Sequence, residues 1–402
     1  RFDKPGKFVA LPGWEWSGNT GLGGDRNVFF LKEGGPISRS SRALVDNCES
    51  KDDCSDDVES LFKTLSKCGR DVMVVPHVGG RYADLDRHDA ALEPVVEVHS
   101  AWGTFEWMLE DAFRNGYKIG IVANSDGHKG RPGASYPGAS TFGSLGGLTC
   151  VLSEGLDRQS VWDAYQDRRV YATTGNRLLL DVSTNRGDPM GAIVPLRAGE
   201  APKFRVRVAA TAAIERIEIR NAMRVLKTVR TYTAADLTSR LKVLWQGAEV
   251  RGRGRQVTWD GKLQLSGASV RDWQPINFWN SEKPCRQVGR RELQWEAITT
   301  GGVCGVIVEL ARSGGQLQVS TAQKSFSAEI DKLGVRGRSY GVGGVGKRIS
   351  AYRLPPAGGP REIEFTWKPA AKHLHSGSNP IYVCVVQEDG HMAWSSPIYL
   401  EI

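Results

Sequence analysis

The chain has 402 residues, with 53 Lys+Arg against 45 Asp+Glu and a formal net charge of +8. That length is more than one ordinary core accommodates and predicts at least two domains, while no apolar run approaches the ~20 residues of a membrane-spanning helix. The positive balance favours acidic substrates, anionic polymers or membrane surfaces through long-range attraction and does not by itself indicate nucleic acid, which is not expected as a partner; a small anionic substrate is.

From residue 8 to about residue 181, short apolar runs alternate with amphipathic stretches, the pattern of βα units around a largely parallel sheet. Strands are predicted at 8–11, 27–31, 71–75, 95–98, 119–123, 148–152 and 178–182. Helices fall between them. Ser55 is placed to cap one carrying Val58, Leu61, Phe62 and Leu65 on a single face and ending at Gly69. Thr104 is placed to cap a second, with Met108, Leu109, Ala112 and Phe113 inward, and Asp157 a third running through Tyr165. After about residue 185 the texture changes to alternating strands, with Asp260-Gly261 and Asp389-Gly390 as hairpin signals. The expected fold class is therefore α/β plus all-β: an α/β catalytic domain over 1–185, then an antiparallel β-sandwich accessory domain over 186–402.

Seven cysteines include Cys48, Cys54 and Cys68, at a spacing that matches no zinc knuckle. A Cys48–Cys54 disulfide would close an acidic loop and imply an oxidising compartment, periplasmic or secreted; free buried thiols are the competing reading. The chain opens on Arg1 without an initiator Met, so any leader would precede it.

The strongest chemical signal is Asn124-Ser125-Asp126-Gly127-His128, directly after an apolar strand. In an α/β barrel, active sites form where strands end, and Asp126 and His128, two apart in an extended segment, would leave the same face. A carboxylate beside an imidazole is ordinary ligation for zinc, manganese or iron, although an isolated Asp-x-His arises often by chance. His77 has the same placement after Pro76, with Gly79 and Gly80 behind it; a satisfied structural histidine is the alternative. Glu97 and His99 again end a strand two apart, and Glu15 sits between Trp14 and Trp16. Arg81 and Arg131 lie on loops at the same rim, as phosphoryl clamps or as ordinary solvated arginines. His88 has carboxylate neighbours but no strand to place it, and reads as exposed. Trp14, Trp16, Trp102 and Trp107 suit either a pocket lining or a packed core. The arginine-glycine stretches at 251–255 and 336–338 lack interleaved aromatics and read as solvated loops, with anion binding as the alternative.

In that order, Gly13-x-Glu15, Pro76-His77, Glu97-Val98-His99-Ser100 and Ser125-Asp126-Gly127-His128 resemble the metal-ligand segments of the PHP (polymerase and histidinol phosphatase) superfamily. Gly146-Gly147-Leu148-Thr149, the stretch at 169–175 and Ala393-Trp394-Ser395-Ser396-Pro397 resemble a branch that joins a PHP-like barrel to a C-terminal β domain. The resemblance implies a distorted (β/α)7 barrel and a metal-dependent phosphoesterase using two or three divalent ions (Zn, Mn or Fe). The implied ligands are Glu15, His77, His99, Asp126 and His128, with Arg131 and Arg81 neutralising a phosphorylated substrate. Where the branch has histidine, this chain has Asp25, which could still ligate a metal or contact substrate, and Trp102, which could not, leaving His99 as the substitute there. The family's opening His-x-His strand is not found upstream of Glu15, which implies an incomplete barrel whose first strands belong to a preceding segment of the same protein. His373-x-His375, far away in the β region, is no substitute. Two further readings stay open: a non-catalytic PHP-like scaffold, and a metal hydrolase of a non-phosphate ester, amide or sulfate.

Overall fold

The computed structural model describes residues 2–40, 54–128, 130, 144–197 and 199–402. Its first part is built from two small sheets. Strands β1 (Gly13–Ser17), β2 (Asp25–Phe30) and β3 (Val72–Pro76) form an antiparallel sheet in that order. Strand β4 (Val95–Ser100) lies between β5 (Gly103–Thr104), antiparallel to it, and β6 (Gly120–Ala123), parallel to it. The largely parallel barrel expected from the apolar runs is therefore not what the described residues form. Among the described strands of this part only β4 and β6 pair in parallel, and the strands divide among separate sheets. Runs such as Val72–Pro76 are buried along their whole length, and a strand covered on both faces has no alternation from which to read its direction.

The first predicted strand shifts as well. Residues 8–11 are not a strand, Phe8 is exposed, and β1 starts at Gly13, which places Glu15 in mid-strand. Helix α1 (Val58–Leu65) buries Val58, Leu61, Phe62 and Leu65 as expected, but Asp57 caps it by accepting from the Ser60 N–H at 2.8 Å. Helix α2 (Glu106–Arg114) starts without a side-chain cap, because the Thr104 hydroxyl is engaged by His99. Helix α3 (Arg158–Gln166) is capped by Asp157.

Strands β7 (Leu148–Val151) and β8 (Val170–Thr173) join a large sheet made mostly of C-terminal sequence, β8 pairing with Met392–Ser395. At its centre runs Ser378–Gln387, which is buried on both faces. Tyr382, Cys384, Val386 and Trp394 pack toward Val96, Val98, Trp107 and Met108 of the α/β part. Ile381, Val383 and Val385 pack the other way, onto β9 (Leu179–Thr184), Phe204–Ala209 and Glu362–Trp367. The division expected near residue 185 thus falls beside a strand paired into the second unit, and the first unit leans on residues from the far end of the chain.

A second sandwich is inserted into this one. The five-stranded sheets centred on Arg240–Ala248 and Gly261–Ser266 enclose a core including Trp245, Trp259, Leu263, Trp295, Val306 and Ile349. Its entry and exit strands are neighbours, Arg240 opposite Leu354. The single sandwich expected for 186–402 is therefore two. Asp389-Gly390 forms its hairpin, with Gly390 at φ 88°. Asp260-Gly261 does not, because Val257–Thr258 pairs with Ile298–Thr299 while the following strand joins another sheet.

Candidate functional site

The pleat of β1 and β2 sorts their side chains. Trp16, Arg26 and Val28 turn toward α1, where Trp16 and Val28 join its apolar core. Glu15 and Asp25 therefore share the other face. The register of β2 with β3 sets Arg26 opposite Pro76, so His77, one residue past the strand, is held beside Asp25 and its N–H donates to the Asp25 carbonyl at 3.3 Å. His77 is fully buried. Its Nε2 lies 3.5 Å from Glu15 Oε1 and its Nδ1 3.6 Å from Asp126 Oδ2. These are ion-pair separations longer than a well-formed hydrogen bond.

Asp126 and His128 arrive by a different route from the one expected. The segment after β6 is not extended: both residues have positive φ, 41° and 46°, and the turn folds His128 Nδ1 back to 3.0 Å from the Asp126 carbonyl oxygen and 3.2 Å from Asp126 Oδ1. Non-glycine residues rarely take this conformation, and strained backbone of this kind gathers at functional sites. Trp102 lies edge-on to the His128 ring at 5.8 Å.

Glu97 and His99 do not share a face, since the ladder between β4 and β6 shifts register between them. The bulge breaks the two-residue alternation. Glu97 turns to the cluster, where its Oε2 accepts from Asn124 Nδ2 at 2.7 Å. His99 turns away; its Nδ1 is 2.8 Å from the Thr104 hydroxyl and its Nε2 is 2.9 Å from the Leu145 carbonyl. With both nitrogens engaged and burial driving its pKa down to about 4, His99 is a structural histidine rather than the expected ligand.

Four carboxylates thus surround one buried imidazole. Burial disfavours a proton on His77, but Asp126, Glu15 and the charge of Glu97 push its pKa up to about 10. Glu15 is held below the usual carboxylate range by His77. Burial raises Asp25 to about 6, against the Arg81 N–H that donates to it, and raises Glu97 to about 7. Among the described residues, both nitrogens of His77, and Asp25 Oδ1, Glu97 Oε1 and Asp126 Oδ2, are buried without a hydrogen-bond partner. Gly79 makes room among them: a Cβ there would stand 2.9 Å from Asp25 Oδ2, 3.3 Å from His77 Cε1 and 3.7 Å from Asp126 Oδ2.

Arg81 donates its backbone N–H to Asp25 Oδ2 at 2.9 Å, and its guanidinium lies 3.9 Å from Asp25 Oδ1 at the partly open rim. Arg131 lies outside the described residues. Cys48 does too, and with it the expected Cys48–Cys54 pairing; Cys54 is disulfide-bonded, and the other described cysteines are free. His88 is not exposed as expected. It is 2.8 Å from Glu93, which also pairs with the buried Arg26, and stacks on Tyr117. Among the described residues, no three His, Cys, Asp or Glu side chains form a closed ligand set around one point. The donors are gathered without being drawn onto a common centre. No described helix is long and apolar enough to cross a membrane.

The family described as "Protein of unknown function (DUF3604)" matches residues 136–223, a stretch that contains none of these side chains. An uncharacterised protein of Chlamydia pneumoniae is 24% identical over 256 residues, which is 56% of this chain and 39% of that protein. The chain thus spans well under half the length of that curated relative. A crystal structure from Bacteroides vulgatus, of a two-domain protein containing a predicted PHP-like metal-dependent phosphoesterase, aligns over 80% of this chain and 74% of its own. With 11% identity and a TM-score of 0.28, that likeness is too slight to carry an argument.

Proposed function

We propose that this chain is a metal-dependent hydrolase acting on phosphoesters. One observation carries the reading: four carboxylates and two imidazoles share a small, largely buried space in which five of their polar atoms have no hydrogen-bond partner among the described residues. Uncompensated buried carboxylates are costly, and a divalent cation is the compensation that oxygen and imidazole donors suit. Glu15, Asp25, His77, Glu97, Asp126 and His128 would hold it, one ion or more. When bound, such an ion lowers the pKa of a water toward neutrality and stabilises negative charge on the substrate.

The chain's own residues do the rest. Arg81, at the rim, can take the non-bridging oxygens of a phosphoryl group in a fork of parallel hydrogen bonds. Glu97 Oε1, buried and unbonded among the described residues, is one of the oxygens turned toward that ion. Asn124 fixes the opposite oxygen of the same carboxylate, and is itself approached by the Thr149 hydroxyl at 3.3 Å.

A second reading, a scaffold that binds metal weakly, draws on the lack of a closed ligand set among the described residues. Elemental analysis of the purified chain, with turnover of an aryl phosphate measured with and without chelator, separates the two. Stoichiometric metal and chelator-sensitive turnover support the hydrolase; metal-free protein that stays inactive after metal is added back leaves the scaffold. The same assay on aryl sulfate, carboxylic ester and anilide tests the choice of bond.

A further inference from the structure

We propose that the inserted sandwich completes the site: its loop at 251–255 presents Arg253 to the oxyanion of the substrate, and Arg251 and Arg255 hold that loop in place. This rests on the reading above for the identity of the site and adds the group that recognises the substrate's charge.

The loop was expected to be solvated; Arg253 and Gly254 are exposed, but Arg251 and Arg255 are anchored on the first part of the chain. Arg251 Nη1 pairs with Asp111 Oδ2 on α2 at 2.8 Å, and its guanidinium lies 4.7 Å from the centre of the Trp107 ring. Arg255 is 5% exposed. Its Nη2 donates to the Gly79 carbonyl at 2.6 Å and its Nε to Gly252 at 3.0 Å, with the rings of Phe105 and Trp102 at 5.3 and 5.6 Å. Gly79 is the residue whose missing side chain makes room between Asp25 and Asp126, so Arg255 grips the backbone of the site itself. Gly252 packs on Tyr82, 3.6 Å from a Cβ built on it. The 251–255 loop therefore lies along residues 79–82, the segment that follows His77 and carries Arg81.

Arg253 stands between the two anchors, exposed, with Nη2 3.9 Å from where a Cβ on Gly80 would be. Among the described residues Arg251 has a carboxylate partner, whereas Arg253 and Arg255 have no ion pair. Arg255 Nη1 is buried without a hydrogen-bond partner. Burial lowers the Arg255 pKa to about 10, while the charges of Asp25 and Asp126 support its proton. Arg81 and Arg253 come from separate segments, Arg81 following Gly80 in the chain and Arg253 reaching Gly80 through its Nη2. Two planar guanidinium forks beside a cation site suit a tetrahedral oxyanion, a phosphate monoester in the first instance.

The test is calorimetric titration of inorganic phosphate into the full chain, wild type and variants, with metal content measured on each sample. Arg253→Ala should weaken phosphate binding about 10- to 100-fold, the loss expected for charge-assisted hydrogen bonds, with metal content unchanged. Arg253→Lys should recover only part of it. Arg255→Met, which frees the loop, should raise KM for an aryl phosphate by a larger factor than it lowers kcat, and Arg255→Lys, which supplies one of the two donors, should restore KM only in part. Phosphate bound equally by wild type and Arg253→Ala, or not bound by wild type at millimolar concentration, overturns the inference. If phosphate binding depends on Arg253 but the protein carries no metal and turns nothing over, the hydrolase reading falls and this one stands. If turnover is chelator-sensitive and indifferent to Arg253, the reverse holds.

Discussion

At the scale of single residues, Gly79 is the most exacting position. A methyl group there would press on Asp25 Oδ2 at 2.9 Å, closer than real Cβ atoms approach, and Gly79 is not among the residues of positive φ. Gly79→Ala should therefore cost at least tenfold in metal affinity while the thermal midpoint moves little; an unchanged affinity in metal-competition titrations would remove Gly79 from the site. The titrations of the metal-free cluster have a definite sign. His77, Glu97 and Asp25 all have folded pKa values raised above their unfolded ones, to about 10, 7 and 6. A raised value contributes stability that is fully present below the unfolded pKa and is lost as pH rises through the folded one. For Asp25 and Glu97 that loss spans roughly pH 4 to 7, and for His77 roughly pH 6.5 to 10. Chelated protein should melt at progressively lower temperature across this range, and divalent metal should recover most at the alkaline end, where no proton has to be displaced. A chelated sample whose melting temperature rises with pH would contradict the assignment. Glu15, His77, Asp126 and His128 could be picked out from sequence because each is a metal-ligand type close to an apolar run. Arg255 could not: arginine among glycines looks solvated, and only Trp102 and Phe105, some 150 positions earlier, make it a buried residue.

At the scale of elements, the exchange of His99 for Glu97 is the clearest lesson. Sequence spacing assigns both to one face of β4; one extra residue in the ladder undoes that, and nothing in the sequence marks the bulge. The consequence is measurable. His99→Ala removes contacts to the Thr104 hydroxyl and the Leu145 carbonyl from a 2% exposed site and leaves a cavity, so it should destabilise by about 2–4 kcal/mol. Metal stoichiometry in the folded fraction should not change. Loss of metal at constant stability would return His99 to the ligand set. Helices were legible as elements and by their apolar faces, which repeat, though two of the three expected caps differ; strand direction was not legible, since β3, β4 and β6 are buried throughout.

At the scale of the molecule, the central sheet decides what can fold alone. Alternation marked residues 200–402 as antiparallel β but could not say which sheet each inward side chain faces, so the insertion of one sandwich into another stayed hidden. Nor could it show that the C-terminal strands serve the first core. Residues 1–185 expressed alone would lose Tyr382, Cys384, Val386 and Trp394 from the core of α2 and β4, and the Met392–Ser395 partner of β8. They would also lose the Tyr399 hydroxyl that bonds the N–H and carbonyl of Ile119, and the Ser396 hydroxyl that accepts from the Ile121 N–H. At about 1.5–3 kcal/mol for each large buried side chain, the apolar loss alone rivals the roughly 5–15 kcal/mol that holds a whole domain folded. The 1–185 fragment should therefore be insoluble, or soluble without a cooperative melt by circular dichroism and rapidly cut by protease. A soluble fragment with a sigmoidal transition and stoichiometric metal would show that the cluster needs nothing from the C-terminal sheet, and the dependence on the inserted sandwich would then have to act on the substrate alone.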